Sequence, residues 1–396
     1  MRIQSKWLIT TTFLLSSLFT NIPAVYAQNT GDPFYPQYEE THEGMPICEP
    51  GVYLIPPRDC LPMGPSQTLT HWAKNGLSLP LKPLPVSHPD ARYLELDQNY
   101  AKLNLAPGEQ AAYYPNIESA VQSWGALSTL PIGETLYVAY ENVSYYEGNP
   151  FVQNERGEWL RASPTKYSSF QGFLLNRPLD NNFGWIVDHT NPRRGPSYGA
   201  EVVNEELLRE TVVQVYDQVE SEGTTWYMIG LGKWVDRRVI RIVSPRLSPP
   251  EGVNNGRWIE VNLYEQTLTV YEDSRLLFAT LVGSGFDPYY TQPGLFQVRE
   301  KLEFETMTGS FERGKADYYF LENVPWTMYY DGPRALHGAY WRALFGYELS
   351  HGCVNISVGD AHWLYDWAVV GDWVYVWDPS GKTPTDPAFY QEGVAF

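Results

Sequence analysis

Apolar and polar positions alternate along much of this chain with the period of strands rather than helices. In the C-terminal third, Ile259, Val261 and Leu263 alternate with Glu260 and Asn262, and a turn near Glu265-Gln266 leads to a return strand carrying Leu268 and Val270. Leu276 to Val282 predicts a third strand ending in Gly283-Ser-Gly285, and Leu295-Phe-Gln-Val298 a fourth. Trp326-Thr-Met-Tyr-Tyr330 predicts another, and Trp373-Val-Tyr-Val-Trp377 a closing strand. Helical spacing follows Ser357-Val-Gly-Asp360, which has the form of a capping box, with Ala361, Leu364, Tyr365 and Ala368 on one face. The polar segment 299–323, with Met307, Gly309 and Gly314, predicts a mobile excursion or lid.

Upstream the pattern is looser. Leu136-Tyr-Val-Ala-Tyr140 alternates as a strand does, and Asn116 to Ser123 is the best short helix candidate. Gly157-Glu-Trp-Leu-Arg161 and Gly232-Lys-Trp-Val-Asp236 share one plan, a turn glycine, a spacer and a strand tryptophan, with Thr224 to Ile229 as hairpin partner of the second. Two small SH3-like modules and a single irregular β domain both fit residues 96–245. Residues 28–95 form a Pro-rich N-terminal segment, Ser244 to Gly256 reads as a linker, and 379–396 reads as an extended tail. The expected fold class is mainly β, with a catalytic domain over 256–378.

Composition adds the compartment. The first residues carry Arg2 and Lys6, then an apolar run from Trp7 to Phe19 and Val25-Tyr-Ala27, the form of a secretory signal peptide over 1–27. The apolar run is short for a membrane anchor, and no second run is long enough to cross a bilayer. The net charge is −18, and removing the leader makes the chain more acidic still, which argues against nucleic acid as a partner. In an oxidising compartment Cys48 and Cys60, around a Pro/Gly-rich loop, suggest a disulfide clip. Of the three cysteines this leaves Cys353, the pattern of a free reactive thiol.

Cys353 stands in Ser350-His-Gly-Cys-Val-Asn355, downstream of His337-Gly338. A thiol attacks as thiolate and needs a base, which a histidine on an adjacent segment supplies before returning the proton to a leaving amine. Gly352 permits close approach of substrate, and the Gly352 and Cys353 amides can face an oxyanion. His351 shares a face with Cys353 on extended backbone and reads as a buttress, and Ser350 as a hydrogen-bonding turn residue. Tyr330, Trp341 and Met328 are candidates for lining a peptide cleft, with ordinary core as the competing reading.

These residues resemble the catalytic signature of the L,D-transpeptidases (YkuD-type). The resemblance extends upstream through Trp258 to Leu268, Gly283-Ser-Gly285, Thr291-Gln-Pro-Gly294 and Val324 to Tyr329. It implies a cysteine acyl-enzyme that releases terminal D-Ala from one peptidoglycan stem peptide and joins a second as acceptor in a 3→3 cross-link. Cys353 would be nucleophile and His337 the base, with the Gly338 carbonyl orienting the imidazole. β-Lactams, carbapenems among them, would be inhibitors, and no metal or cofactor is required. Many members carry Arg where this chain has Asn355, so carboxylate recognition would fall elsewhere, with Arg334 and Arg342 as candidates. The rival readings are an L,D-carboxypeptidase using water, a non-catalytic wall-binding protein, and a zinc site from Cys353, His351 and His337 that lacks a fourth ligand.

Overall fold

A computed structural model describes residues 71–386 and 390, apart from 79–80, 107, 134, 166–169, 180, 247 and 310–317. The expected leader, the Cys48 and Cys60 pair and the end of the tail lie outside the described residues. All those described fall within one compact unit, residues 40–396.

The protein is mainly β, and two large mixed sheets carry the site. In the first, Arg257–Asn262, Thr267–Glu272 and Arg275–Leu281 form an antiparallel meander. Trp373–Trp377 adds parallel to Arg257–Asn262, and Gly294–Gln297 closes that side. Val261, Leu268, Val270 and Val374 point into the main core, which is why period-two alternation finds these strands. On the opposite side Phe173–Leu175 pairs with Arg275–Leu281, so the sheet takes a strand from upstream of residue 245.

The second sheet runs in the order Val354–Ile356, Arg334–Gly338, Tyr319–Asp331, Thr135–Tyr140, Asn99–Lys102 and Ser163–Pro164. It too crosses the expected boundary: Tyr319–Leu321 pairs in parallel with Thr135–Tyr137. Tyr100 stacks on Tyr340 at 3.5 Å between ring centroids, and its hydroxyl donates to the Asn323 carbonyl at 2.6 Å. The 244–256 segment is tied down as well, through Arg246 Nε to Glu260 at 2.7 Å and Asn255 Nδ2 to Asp372 at 3.3 Å.

The polar segment 299–323 differs from expectation. Glu300–Gly309 pairs antiparallel with Tyr319–Asp331, so its described part is a long β-hairpin rather than irregular chain. The helix after the cysteine runs Val358–Trp367, with the Ser357 hydroxyl accepting from the Asp360 amide. Asp360 is wholly buried, and its Oδ2 accepts from the Gln171 and Gly172 amides at 3.0 Å and from the Thr280 and Ser357 hydroxyls at 2.7 Å. That one oxygen joins the helix, the first sheet and the upstream chain.

The two tryptophan units each open the third strand of a three-stranded antiparallel sheet. These are Asn142–Tyr146, Asn149–Gln153 and Trp159–Arg161, and Asp217–Ser221, Thr224–Gly230 and Lys233–Asp236. Gly157 and Gly232 sit in the turns with φ of 78° and 62°, a region that favours glycine. Ile117–Gln122 forms the short helix, capped by Asn116, whose side chain accepts from the Ser119 amide at 2.9 Å. No described helix is long and apolar enough to cross a membrane.

Candidate active site

Two parallel strands bring the histidine and the cysteine together. Arg334–Gly338 pairs with Val354–Ile356 so that His337 faces Asn355, and Cys353 lies two residues earlier on that neighbouring segment. The turn that presents the thiol is built from short side chains. The Ser350 hydroxyl donates to the Cys353 carbonyl and accepts from the Gly352 amide at 3.2 Å. Thr291 braces it from behind, donating to the Gly352 carbonyl at 2.9 Å and accepting from the Gly285 amide at 2.9 Å. A Cβ on Gly285 would fall 2.9 Å from Gly352 Cα and 2.1 Å from the Tyr289 carbonyl, so only glycine fits. The Gly283-Ser-Gly285 and Thr291 motifs are therefore the backing of the cysteine turn.

Cys353 is a free thiol, partly exposed. Its Sγ lies 3.9 Å from the Pro333 carbonyl. Burial raises its pKa, while the Ala335 backbone N–H and the Arg334 charge draw it back. His337 is 2% exposed, and its ring lies against Trp341 at 5.6 Å between centroids. Burial holds its pKa down at about 4, opposed by the Gly338 carbonyl and assisted by the Arg342 charge. Nδ1 is buried without a hydrogen-bond partner, so the Gly338 carbonyl favours the protonated ring from a position short of a full hydrogen bond. The resting pair is thus a neutral thiol and a neutral imidazole, not the thiolate–imidazolium pair expected when a histidine is read simply as ionising its cysteine. A neutral ring is the form able to take a proton as the sulfur attacks.

The other candidates divide. The Gly352 amide is engaged by Ser350, so as folded it does not face an oxyanion; the Cys353 amide makes no hydrogen bond among the described residues. Asn355 is buried, exchanging backbone hydrogen bonds with Gly283 at 2.9 Å. His351 sits among aromatic rings, 5.5 Å from Phe286, 5.4 Å from Tyr289 and 5.9 Å from Tyr319. Met328 requires correction: it is wholly buried in the main core, because it faces inward on a strand whose next residue faces the cleft. Tyr330 is corrected on the same ground, 2% exposed and packed on Phe296 at 5.6 Å. Trp341 is partly buried, its ring against that of His337. Arg342 is half-buried, donates to the Leu349 carbonyl and has its pKa lowered to about 10 by desolvation.

Sequence reasoning missed the tyrosines of the long hairpin. Burial raises the pKa of both Tyr319 and Tyr329, the latter to about 12, and both lie close enough to Cys353 for a thiolate to raise it further. Tyr329 lines a cleft of about 450 Å³ with Arg299, Glu300 and Gly332, and Gly332 immediately precedes the proline whose carbonyl meets the thiol. Among the described residues no group of three His, Cys, Asp or Glu side chains is placed to hold a metal ion.

Residues 256–376 match the YkuD family model, described as the L,D-transpeptidase catalytic domain. YciB of Bacillus subtilis (strain 168), a protein assigned as an L,D-transpeptidase, is 24% identical over 115 residues, 28% of this chain and 59% of that relative's length. The L,D-transpeptidase (Yku) from Stackebrandtia nassauensis is 27% identical, over 33% of this chain and 58% of that one, with a TM-score of 0.26. The catalytic domain of the E. faecium L,D-transpeptidase is likewise 27% identical, over 32% of this chain and all (100%) of that one, with a TM-score of 0.28. The segment that holds His337 and Cys353 is thus the part of the chain that matches the L,D-transpeptidase catalytic domain of the YkuD family.

Proposed function

We propose that this chain is an exported L,D-transpeptidase that forms 3→3 cross-links in peptidoglycan through a Cys353 acyl-enzyme. The observation that carries the reading is a partly exposed free thiol at the start of the segment that pairs with the strand of a buried histidine held neutral. Cys353 attacks the carbonyl of the third stem residue as His337 takes the thiol proton, and a carbon–sulfur bond forms. The carbon–nitrogen bond to the terminal D-Ala then breaks, with the proton passing from the imidazole to the departing amine. An amine on a second stem attacks the thioester and gives its proton to His337, the carbon–sulfur bond breaks, and the proton passes from the imidazole to the departing sulfur. The Cys353 amide is the donor free to meet the oxyanion in both steps. Export rests on the leader-like residues 1–27. The same thiol would open β-lactam rings, since they present it with a strained acyl group.

Incubation with a tetrapeptide stem, with and without an amine acceptor, tests this by product mass. The expected products are free D-Ala and a 3→3 cross-linked dimer, both lost in Cys353→Ala. Release of D-Ala with only hydrolysed tripeptide, even at high acceptor concentration, would instead make the protein an L,D-carboxypeptidase.

A further inference from the structure

Arg334 carries a cationic edge with nothing attached to it, next to the nucleophile. The residue is 7% exposed. Nη1 is held by Asp331 Oδ2 at 2.9 Å, and the Tyr390 ring lies 4.9 Å from the guanidinium carbon. One nitrogen is thereby held and one face of the group is covered. Nε is buried without a partner, and Nη2 makes no hydrogen bond among the described residues. That edge faces the cysteine turn: a Cβ on Gly352 would lie 3.4 Å from Nε, and the Arg334 charge lies close enough to lower the thiol pKa.

A buried, unsatisfied donor costs free energy unless something arrives to accept from it. An arginine kept only to pair with Asp331 has no need of an idle Nε/Nη2 edge against the turn. Two parallel N–H groups in one plane match a carboxylate bidentately, which a lysine cannot reproduce. An acyl donor with a C-terminal D-amino acid carries such a carboxylate one residue beyond the scissile carbonyl, about 4 Å along the chain. Asn355, two residues beyond the thiol, is uncharged and pinned in the sheet; Arg342 also has an unpartnered Nε, but its Nη2, which would complete the same fork, already donates to the Leu349 carbonyl.

We propose that the Nε/Nη2 edge of Arg334 binds the C-terminal carboxylate of the acyl donor, and so selects stems that end at the residue to be released. This rests on the transpeptidase reading above. The Tyr390 ring lies over the guanidinium face and leaves the Nε/Nη2 edge without a partner among the described residues.

The test compares a tetrapeptide stem with its C-terminal carboxamide, following Cys353 acylation by intact mass and taking the ratio of the two rates. Wild type is expected to favour the free carboxylate by about tenfold or more. In Arg334→Gln the ratio should collapse to within about twofold, and in Arg334→Lys, which keeps charge but not the fork, it should fall between. Equal rates in wild type would overturn the proposal, a result that needs no variant to fold. So would an Arg334→Gln protein that slows both donors alike and keeps the ratio, which is what a structural arginine would give. Failure of both donors to acylate wild type would sink the transpeptidase reading itself, and this assignment with it.

Discussion

Burial takes the His337 imidazole out of water and holds its pKa at about 4, against 6.5 for the free ring. The ring is therefore neutral, and able to accept a proton, through the whole neutral and mildly acidic range. The rate of Cys353 acylation by a carbapenem should stay level from about pH 7.5 down to about pH 5 and fall only below that. A fall centred near pH 6.5, followed by mass spectrometry, would contradict it. The same depression links to stability. The unfolded ring takes up its proton near 6.5 and the folded one near 4, so His337's contribution is fully present above 6.5 and is lost as pH falls toward 4. The placement of Cys353 and His337 on paired segments was legible because the two stand in a spaced motif, His337-Gly338 and Ser350 to Asn355. Arg334 was legible only as a candidate beside Arg342; its idle edge depends on the Asp331 pairing and on the register that sets it across from Gly352. Met328 and Tyr330 fall to the core reading that competed with the cleft, since strand alternation does not say which face meets the core.

Among the elements, the strands over 257–281 and the Val358–Trp367 helix were legible: the strands are runs rich in apolar and β-branched residues, bounded by turns and buried on both faces over much of their length, and the helix opens on the Ser357 cap. The Glu300–Gly309 strand was not, because it pairs with a single neighbour and mixes exposed and half-buried positions. Asp360 belongs to this scale. Its one carboxylate oxygen satisfies two backbone amides and two hydroxyls from three parts of the chain. Asp360→Ala would leave those donors buried and unpaired, and should cost about 3 kcal/mol or more of unfolding free energy. A loss below about 1 kcal/mol in chemical denaturation would show that the hub is not what joins helix and sheet.

Across the whole molecule, the composition shift near 244–256 suggested a separable catalytic domain, but the hydrogen bonding runs across it. Thr135–Tyr140 and Phe173–Leu175 are strands of the two sheets that carry the site, and Tyr100 and Tyr137 share the main core with Met328 and Tyr340. Pairing between distant segments leaves no local mark in sequence, which is why this went unread. A fragment beginning at residue 250 would expose two sheet edges and the Tyr340 ring, so it should aggregate or unfold without a cooperative transition, while the full chain melts as one. A fragment with the full chain's melting temperature would contradict this. The central claim is that Cys353 is the acylated nucleophile, and intact mass after exposure to a carbapenem tests it most directly. The account predicts one adduct per chain, mapped to Cys353, absent in Cys353→Ala and formed about a hundredfold or more slowly in His337→Ala. An adduct that survives in Cys353→Ala, or none on the wild-type protein, would contradict it.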